Sequence, residues 1–317
     1  MANMIEHIPV LYQEVLYYLQ PYPGGKYIDG TIGAAGHTSG LLEASAPDGR
    51  VLGLDRDPEA IAFCRKRLAD AGERVTLVQA SFAEMDRVAQ LNGFTAADGI
   101  LIDLGLSSRQ LASAERGFSF RLDGPLDMRF DTTSGVTAGE LLNTLDESTL
   151  SKMLRSYGEV RQSRRVARAI VEARPIRTTK QLADLVARLN TKEGRHKASR
   201  RIHPATRVFQ ALRIAVNEEL AALKKALPTA VNLLRPGGRL AAISFHSLED
   251  RMVKQFIREQ SRDCVCPPEL PICNCDTRPI LRPVTKRVIK PTDEEVARNP
   301  RSRSARLRVA ERLTEGD

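Results

Sequence analysis

Short apolar runs alternate with amphipathic stretches over the first hundred residues. Lys26-Tyr-Ile-Asp29, Arg50-Val-Leu-Gly-Leu-Asp55, Arg74-Val-Thr-Leu-Val-Gln-Ala80 and Asp98-Gly-Ile-Leu-Ile-Asp103 each read as a buried strand. One helix is predicted to start near Gly36. A second runs from Pro58 to about Ala71, with Asp57 as its cap. Strands at this spacing with helices between them form βαβ units, a parallel sheet and helices on both of its faces. The rhythm breaks at about Ser107. Residues 107–135 are rich in Gly, Ser, Asp and Arg and carry Phe118, Phe120 and Phe130, and residues 137–190 read as several helices. Thr137 caps Ala138–Leu145, with Glu140 three residues on as a capping box, and Leu182, Leu185, Val186 and Leu189 share one helix face. The strand signal returns in Pro236–Phe245, and Val284–Ile289 and Ala305–Arg312 alternate like a terminal strand pair. The pattern predicts one α/β sheet with four strands before a helical insert and three after it. The expected divisions are 1–108 for the first part of the sheet domain, 109–209 for the insert and 210–317 for the second part.

Composition changes this picture little, and charge changes it more. With 317 residues, 42% hydrophobic and 27% charged, the chain has an ordinary globular balance, which excludes a wholly disordered protein. It has no apolar run of 18 residues, and Met1-Ala-Asn-Met-Ile-Glu-His7 lacks the features of a secretory leader, so a cytoplasmic location is expected. The net charge of +9 is unevenly spread. Residues 1–150 hold 12 basic against 21 acidic residues, whereas residues 151–213 hold 17 against 4, a net of +13. An excess over some sixty residues points to nucleic-acid phosphates as a partner more than to a solvated face or a small metabolite. Arg161, Arg164, Arg165 and Arg168 lie at helical spacing within it, as do Lys197, Arg200 and Arg201.

The candidate chemistry sits at strand ends. Gly30, Gly33 and Gly36 follow the first strand in a G-x-x-G-x-x-G loop that opens a helix, where backbone amides can approach a ligand closely. Asp55 ends the second strand, where a carboxylate accepts both hydroxyls of a ribose. Phe82 follows the third, placed either to stack on an adenine or to pack in the core. Asp103 ends the fourth. Four consecutive strand ends with fitting groups describe an adenosine site at the carboxyl edge of a parallel sheet. The dinucleotide pattern G-x-G-x-x-G is missing, so S-adenosylmethionine is favoured over a nicotinamide cofactor.

Several strings then make a family legible. They are His7-Ile-Pro-Val-Leu11, Tyr27-Ile-Asp-Gly-Thr-Ile-Gly-Ala-Ala-Gly-His37, Asp55-Arg-Asp-Pro58, Ile102-Asp-Leu-Gly-Leu-Ser-Ser108, Glu115-Arg-Gly-Phe-Ser-Phe120, Gly124-Pro-Leu-Asp-Met-Arg129 and Tyr157-Gly-Glu159. Further on stand His203-Pro-Ala-Thr-Arg-Val-Phe-Gln-Ala-Leu-Arg213, Ser244-Phe-His-Ser-Leu-Glu-Asp-Arg251 and Asn299-Pro-Arg-Ser-Arg-Ser304. From about residue 7 to 312 the chain resembles the bacterial ribosomal RNA small subunit methyltransferase H family. The resemblance implies a class I (Rossmann-like) S-adenosylmethionine-dependent methyltransferase fold with an inserted all-helical domain for substrate recognition. It implies methylation of N4 of a cytosine in the decoding region of 16S rRNA in the small ribosomal subunit. It also implies cofactor contacts at Gly33, Ala35, Gly36, His37, Asp55, Phe82, Asp103 and Gln110, with Ala35 replacing a more usual glycine.

Transfer to a cytosine amine needs an acceptor near the amine, because its lone pair is delocalised into the ring. Asp103, or the Leu104 carbonyl, is the first candidate. His246 and Glu249, which follow the fifth strand, either orient the base and accept a proton, or cap the helix that starts near Ser247. Phe118, Phe120 and Phe130 either stack on an unpaired base or fill the core. Cys264, Cys266, Cys273 and Cys275 form a C-x-C-x6-C-x-C array that suits structural zinc, though the spacing is not C-x2-C and a loop of reduced thiols fits as well. An RNA-binding assembly factor with a vestigial cofactor site is the alternative function, which cofactor titration discriminates.

Overall fold

The computed structural model describes residues 9–191, 203–266, 275 and 277–314. They divide into two compact units, residues 1–105 with 221–317, and residues 106–220.

The first unit is built on a seven-stranded sheet in the order β3-β2-β1-β4-β5-β7-β6. Its strands are β1 (Lys26–Asp29), β2 (Arg50–Asp55), β3 (Val75–Gln79), β4 (Ala97–Asp103), β5 (Leu234–Ser244), β6 (Leu281–Pro283) and β7 (Arg306–Arg312). The first five are parallel, and β7 runs antiparallel between β5 and β6. Successive side chains of a strand point to opposite faces, and the core divides accordingly. Ile28, Leu52, Leu54, Ile100 and Ile102 face one layer, with Met85 and Val88 of α4 (Met85–Leu91), Leu227 and Val231 of α11 (Glu219–Leu233) and Val253 of α12 (Ser247–Gln260). Tyr27, Val51, Leu101, Ala241 and Ile243 face the other. That layer contains Val15 and Leu19 of α1 (Tyr12–Leu19), Leu41 of α2 (Gly36–Ala44), and Ile61 and Cys64 of α3 (Pro58–Arg67). Strands buried on both faces explain the near-continuous apolar runs. Asp57 caps α3 by accepting from the Glu59 N–H, as expected. No helix among the described residues is long and apolar enough to cross a membrane.

One element differs from the expected pair. Val284–Ile289 alternates, yet it forms no strand. Pairing with β7 is made by Leu281–Pro283, and Ile289 adds a single bridge to Leu307. The alternating run is interrupted by Lys286 and Arg287, which are exposed, so no full apolar face exists for a strand to bury. The remaining helix of this unit is a short one over Asp293–Arg298.

The second unit is helical. It contains α5 (Ser108–Ala112), α6 (Ala138–Thr144), α7 (Glu147–Gly158), α8 (Ser163–Glu172), α9 (Thr179–Thr191) and α10 (Ala205–Asn217). The expected cut at 209/210 falls inside α10, whose Val208, Phe209, Ala211 and Leu212 share one core with Leu150 and Leu154 of α7. The unit runs on to Leu220, the second residue of α11. Its boundary on the other side lies between Gly105 and Leu106 instead of after residue 108. Thr137 and Glu140 form the expected capping box on α6. The irregular stretch before α6 is tied down by close approaches. A side chain at Gly117 would stand 2.2 Å from the Pro125 carbonyl oxygen, at a left-handed φ of +66°, so only glycine fits. Arg116 donates to the carbonyls of Arg129 and Phe130, and Asn217 at the end of α10 accepts from the Phe130 N–H and donates to the Met128 carbonyl.

Candidate active site

Five strands of the first unit present their carboxyl ends side by side, and the loops that leave them build one crevice. Asp29 ends β1 almost fully buried. Its carboxylate accepts from the Thr31 N–H (3.1 Å) and the Thr38 hydroxyl (2.7 Å). Burial pushes its pKa up to about 6, against the pull of those hydrogen bonds. Asp55 ends β2, and its two oxygens accept from the amides of Gly33 and Asp57, each at 2.9 Å. Burial again dominates, helped by the charges of Asp57 and Asp29, and lifts Asp55 to about 6. Each oxygen keeps a second lone pair for a hydroxyl donor. Asp103 ends β4, and its N–H donates to the Thr31 hydroxyl at 2.6 Å. A quarter of its side chain opens to solvent, while Oδ1 is buried and makes no hydrogen bond. Desolvation, with repulsion from Asp29 and Glu249, holds its pKa well above the usual carboxylate range.

The glycine-rich loop carries the remaining groups. Ala35 is buried at φ +62°, a left-handed conformation that costs a side-chain-bearing residue about 1 kcal/mol. Its methyl packs with Leu11 and Leu41, which offsets that strain, so alanine holds the turn where glycine was expected. Gly36 opens α2 for a packing reason, since a side chain there would stand 2.3 Å from Pro9 Cγ. His37 follows, buried and stacked on Tyr12, with Nε2 at 3.8 Å from Asp103 Oδ2. Phe82 stands half-buried beyond β3, packed beside the apolar layer that holds Met85 and Val88.

After β5, His246 caps α12. Its Nδ1 accepts from the Glu249 N–H, and Glu249 Oε2 accepts from the amides of Phe245 (2.8 Å) and His246 (3.2 Å). His246 Nε2 stands 2.9 Å from Glu249 Oε1 without the alignment of a hydrogen bond. Leu104 donates to the Ile243 carbonyl at 2.9 Å, which holds the β4 and β5 ends together.

The other residues expected to bind the cofactor or RNA belong to the second unit or fall outside the described residues. Gln110 belongs to the helical unit, where its side chain accepts from the Ser107 N–H as half of the capping box on α5. Arg161, Arg164 and Arg168 are exposed and Arg165 half-buried, at and before the start of α8, whose Val166, Ala167 and Ile170 face the core. With Arg155 and Glu159, three of them line a surface cleft of about 680 Å³. Lys197, Arg200, Arg201 and Cys273 lie outside the described residues. Phe118 and Phe130 stack on each other at 5.6 Å, and Phe120 stacks on His203 and meets Phe209 edge-on; Phe118 is buried, and Phe120 and Phe130 are half-buried. Asp29 and Thr31 were not singled out by the sequence reading. Asp29 ends its strand as Asp55 and Asp103 end theirs, and the same rule would have found it.

Three carboxylates with raised pKa values in one crevice favour a ligand that brings positive charge and hydroxyl donors. A sulfonium with an α-ammonium and a ribose meets that demand. The strand order, the reversed β7 and this crevice define a class I S-adenosylmethionine-dependent methyltransferase fold. The MraW methylase family model matches residues 4–313. Proteins named Ribosomal RNA small subunit methyltransferase H are similar along almost the whole length. The one from Thermomicrobium roseum is 54% identical over 310 residues, 97% of this chain and 94% of that one. Those from Heliobacterium modesticaldum (48% over 314 residues, 98% and 99%) and Geobacter sulfurreducens (52% over 310 residues, 97% and 99%) agree. The chain belongs to the MraW methylase family.

Proposed function

We propose that this protein transfers the methyl group of S-adenosylmethionine to the exocyclic N4 amine of a cytosine in the decoding region of 16S rRNA. The observation that carries the reading is Asp103. It offers a carboxylate oxygen with no hydrogen-bond partner in a crevice otherwise built to receive a cation and a ribose. The relatives' names support small-subunit rRNA as the substrate.

When bound, S-adenosylmethionine supplies a methyl group already activated on a sulfonium. Asp55 would accept the ribose hydroxyls, Phe82 would flank the adenine, and the 33–37 loop would hold the amino-acid end. Asp103 accepts an N–H of the cytosine amine, localises its lone pair, and takes up the proton that the amine loses as its new N–C bond forms. His37 orients that carboxylate. Glu249 fixes the β5 end through the Phe245 amide, and His246 holds the adjoining turn. A base must leave its stack to reach the crevice, so a loop or single-stranded target fits. The arginines of α8 grip phosphates.

Incubating the protein with methyl-labelled S-adenosylmethionine and 30S subunits lacking the modification, followed by mass spectrometry, tests the whole reading. Label on the amino group of a decoding-region cytosine is the expected product. Label on another base or another RNA overturns the assignment.

Two further outcomes are expected. Because the Asp55 carboxylate must be ionised to accept hydroxyls, S-adenosylhomocysteine affinity should be flat above about pH 6. It should fall by about tenfold per unit below that, with proton release on binding. Calorimetry between pH 5 and 8 measures this, and Asp55→Asn should flatten the profile. Separately, reversing Arg161 and Arg164 to glutamate should lower rRNA affinity. It should also reduce the slope of log affinity against log salt by about 0.7–0.9 per lost phosphate contact, with S-adenosylhomocysteine binding unchanged. Equal losses of both affinities would mark misfolding instead.

A further inference from the structure

Cys264, Cys266 and Cys275 take no part in the chemistry above. The chain leaves α12 at Gln260 and returns at Ile280, whose N–H donates to the Gln260 carbonyl at 2.8 Å. That hydrogen bond brings the end of α12 beside the residue that precedes β6. None of the described residues within 261–279 is buried, and Val265 is 57% exposed.

The three described cysteines nonetheless converge. Their sulfurs all lie within 4.8 Å of one another, and those of Cys264 and Cys275 are 3.8 Å apart. Bonded disulfide sulfurs stand about 2.0 Å apart. Sulfurs placed tetrahedrally about 2.3 Å from one zinc ion stand about 3.8 Å apart, because that is the edge of such a tetrahedron. Two backbone amides also point at sulfur. The Val265 N–H donates to Cys275 Sγ at 3.5 Å and the Cys266 N–H to Cys264 Sγ at 3.4 Å. Amide donors of this kind stabilise the thiolate form that a metal requires.

We propose that Cys264, Cys266 and Cys275 bind a structural zinc ion that ties Cys275 to the chain just after α12. Each ligating thiol gives its proton to solvent as its bond to the metal forms. Thiolate ligands in a tetrahedral arrangement select zinc over magnesium or calcium. The ion lies away from the cytosine chemistry and holds the chain between α12 and β6.

Elemental analysis of the full chain, purified under reducing conditions without chelator, should find about one zinc per chain. Cys264→Ser and Cys275→Ser should lose it. Cys64→Ala should keep it, since Cys64 lies in the sheet core. If the serine variants fail to fold, the unsubstituted chain still decides the matter. Stripped of metal and titrated with cobalt(II), it should show the intense visible bands of tetrahedral thiolate coordination, displaced by zinc. The proposal is overturned by zinc at trace level with only the weak spectrum of hydrated cobalt, by iron in place of zinc, or by a Cys264–Cys275 disulfide in the native protein.

Discussion

Replacing Asp103 with alanine is expected to lower single-turnover methylation at saturating cofactor by about two to four orders of magnitude, a larger loss than any it causes in S-adenosylhomocysteine affinity. Among the described residues the carboxylate offers a buried side-chain oxygen at the β4 end that makes no hydrogen bond, so its loss leaves the amine's lone pair in the ring. The pH dependence follows from its environment. Desolvation and the charges of Asp29 and Glu249 raise its pKa, so the wild-type rate should climb with pH as the carboxylate loses its proton. Asp103→Asn should keep the shape and lose both the rate and that limb of the profile. Full turnover in Asp103→Ala would transfer the acceptor role to the Leu104 carbonyl.

The same substitution should not weaken the fold. A carboxylate held above its ordinary pKa by burial and like charges destabilises the folded state at neutral pH. Removing it should leave the melting temperature at pH 7.5 unchanged or raised. Loss of rate without loss of stability separates a residue that acts on substrate from one that holds the protein together.

This tension also explains what the sequence disclosed. Strands buried on both faces announce themselves as apolar runs, and five strand ends were legible within a residue or two, apart from a longer start to β5. Asp55 and Asp103 were legible because an acid at the end of an apolar run opposes its own surroundings. Asp29 obeys the same rule but was hidden by the glycine-rich loop that follows it. The terminal pair was misplaced because alternation alone does not say which residues find a partner. Leu281–Pro283 pairs with β7 although it is too short to show a period. The 209/210 division falls inside α10, which ends only at Asn217, because no break in the apolar pattern marks the end of the helical unit. The roles of His246 and Glu249 could not be separated from sequence. A helix cap and a proton acceptor call for the same residue types at the same spacing.

Asp250, one residue beyond that cap, is expected to be a costly polar truncation in the sheet unit. Its carboxylate accepts from Arg306 Nη1 (2.7 Å) and Arg308 Nε (2.8 Å), both on one face of β7, and Asp250 is 7% exposed. Asp250→Ala leaves the largely buried Arg308 without its anion, which costs about 3 kcal/mol. For a unit of this size the melting temperature should then fall by about 6–12 °C. The double variant Asp250→Ala with Arg308→Met should recover part of that loss, because no charge is then buried alone. Burial would raise the Asp250 pKa, but the hydrogen bonds from Arg308 and Arg306 outweigh it and hold the group below the usual range. Its stabilisation is therefore present above about pH 4 and fades as pH falls further. Asp29 runs the other way. Its folded-state pKa of about 6 makes its contribution full below pH 4 and lost as pH rises through 6. A drop of less than about 1 kcal/mol in Asp250→Ala would show that α12 holds β7 by packing alone. A full drop should also slow methylation under saturating cofactor, because β7 pairs with Ile243 and Ser244, the residues that lead into the His246 cap.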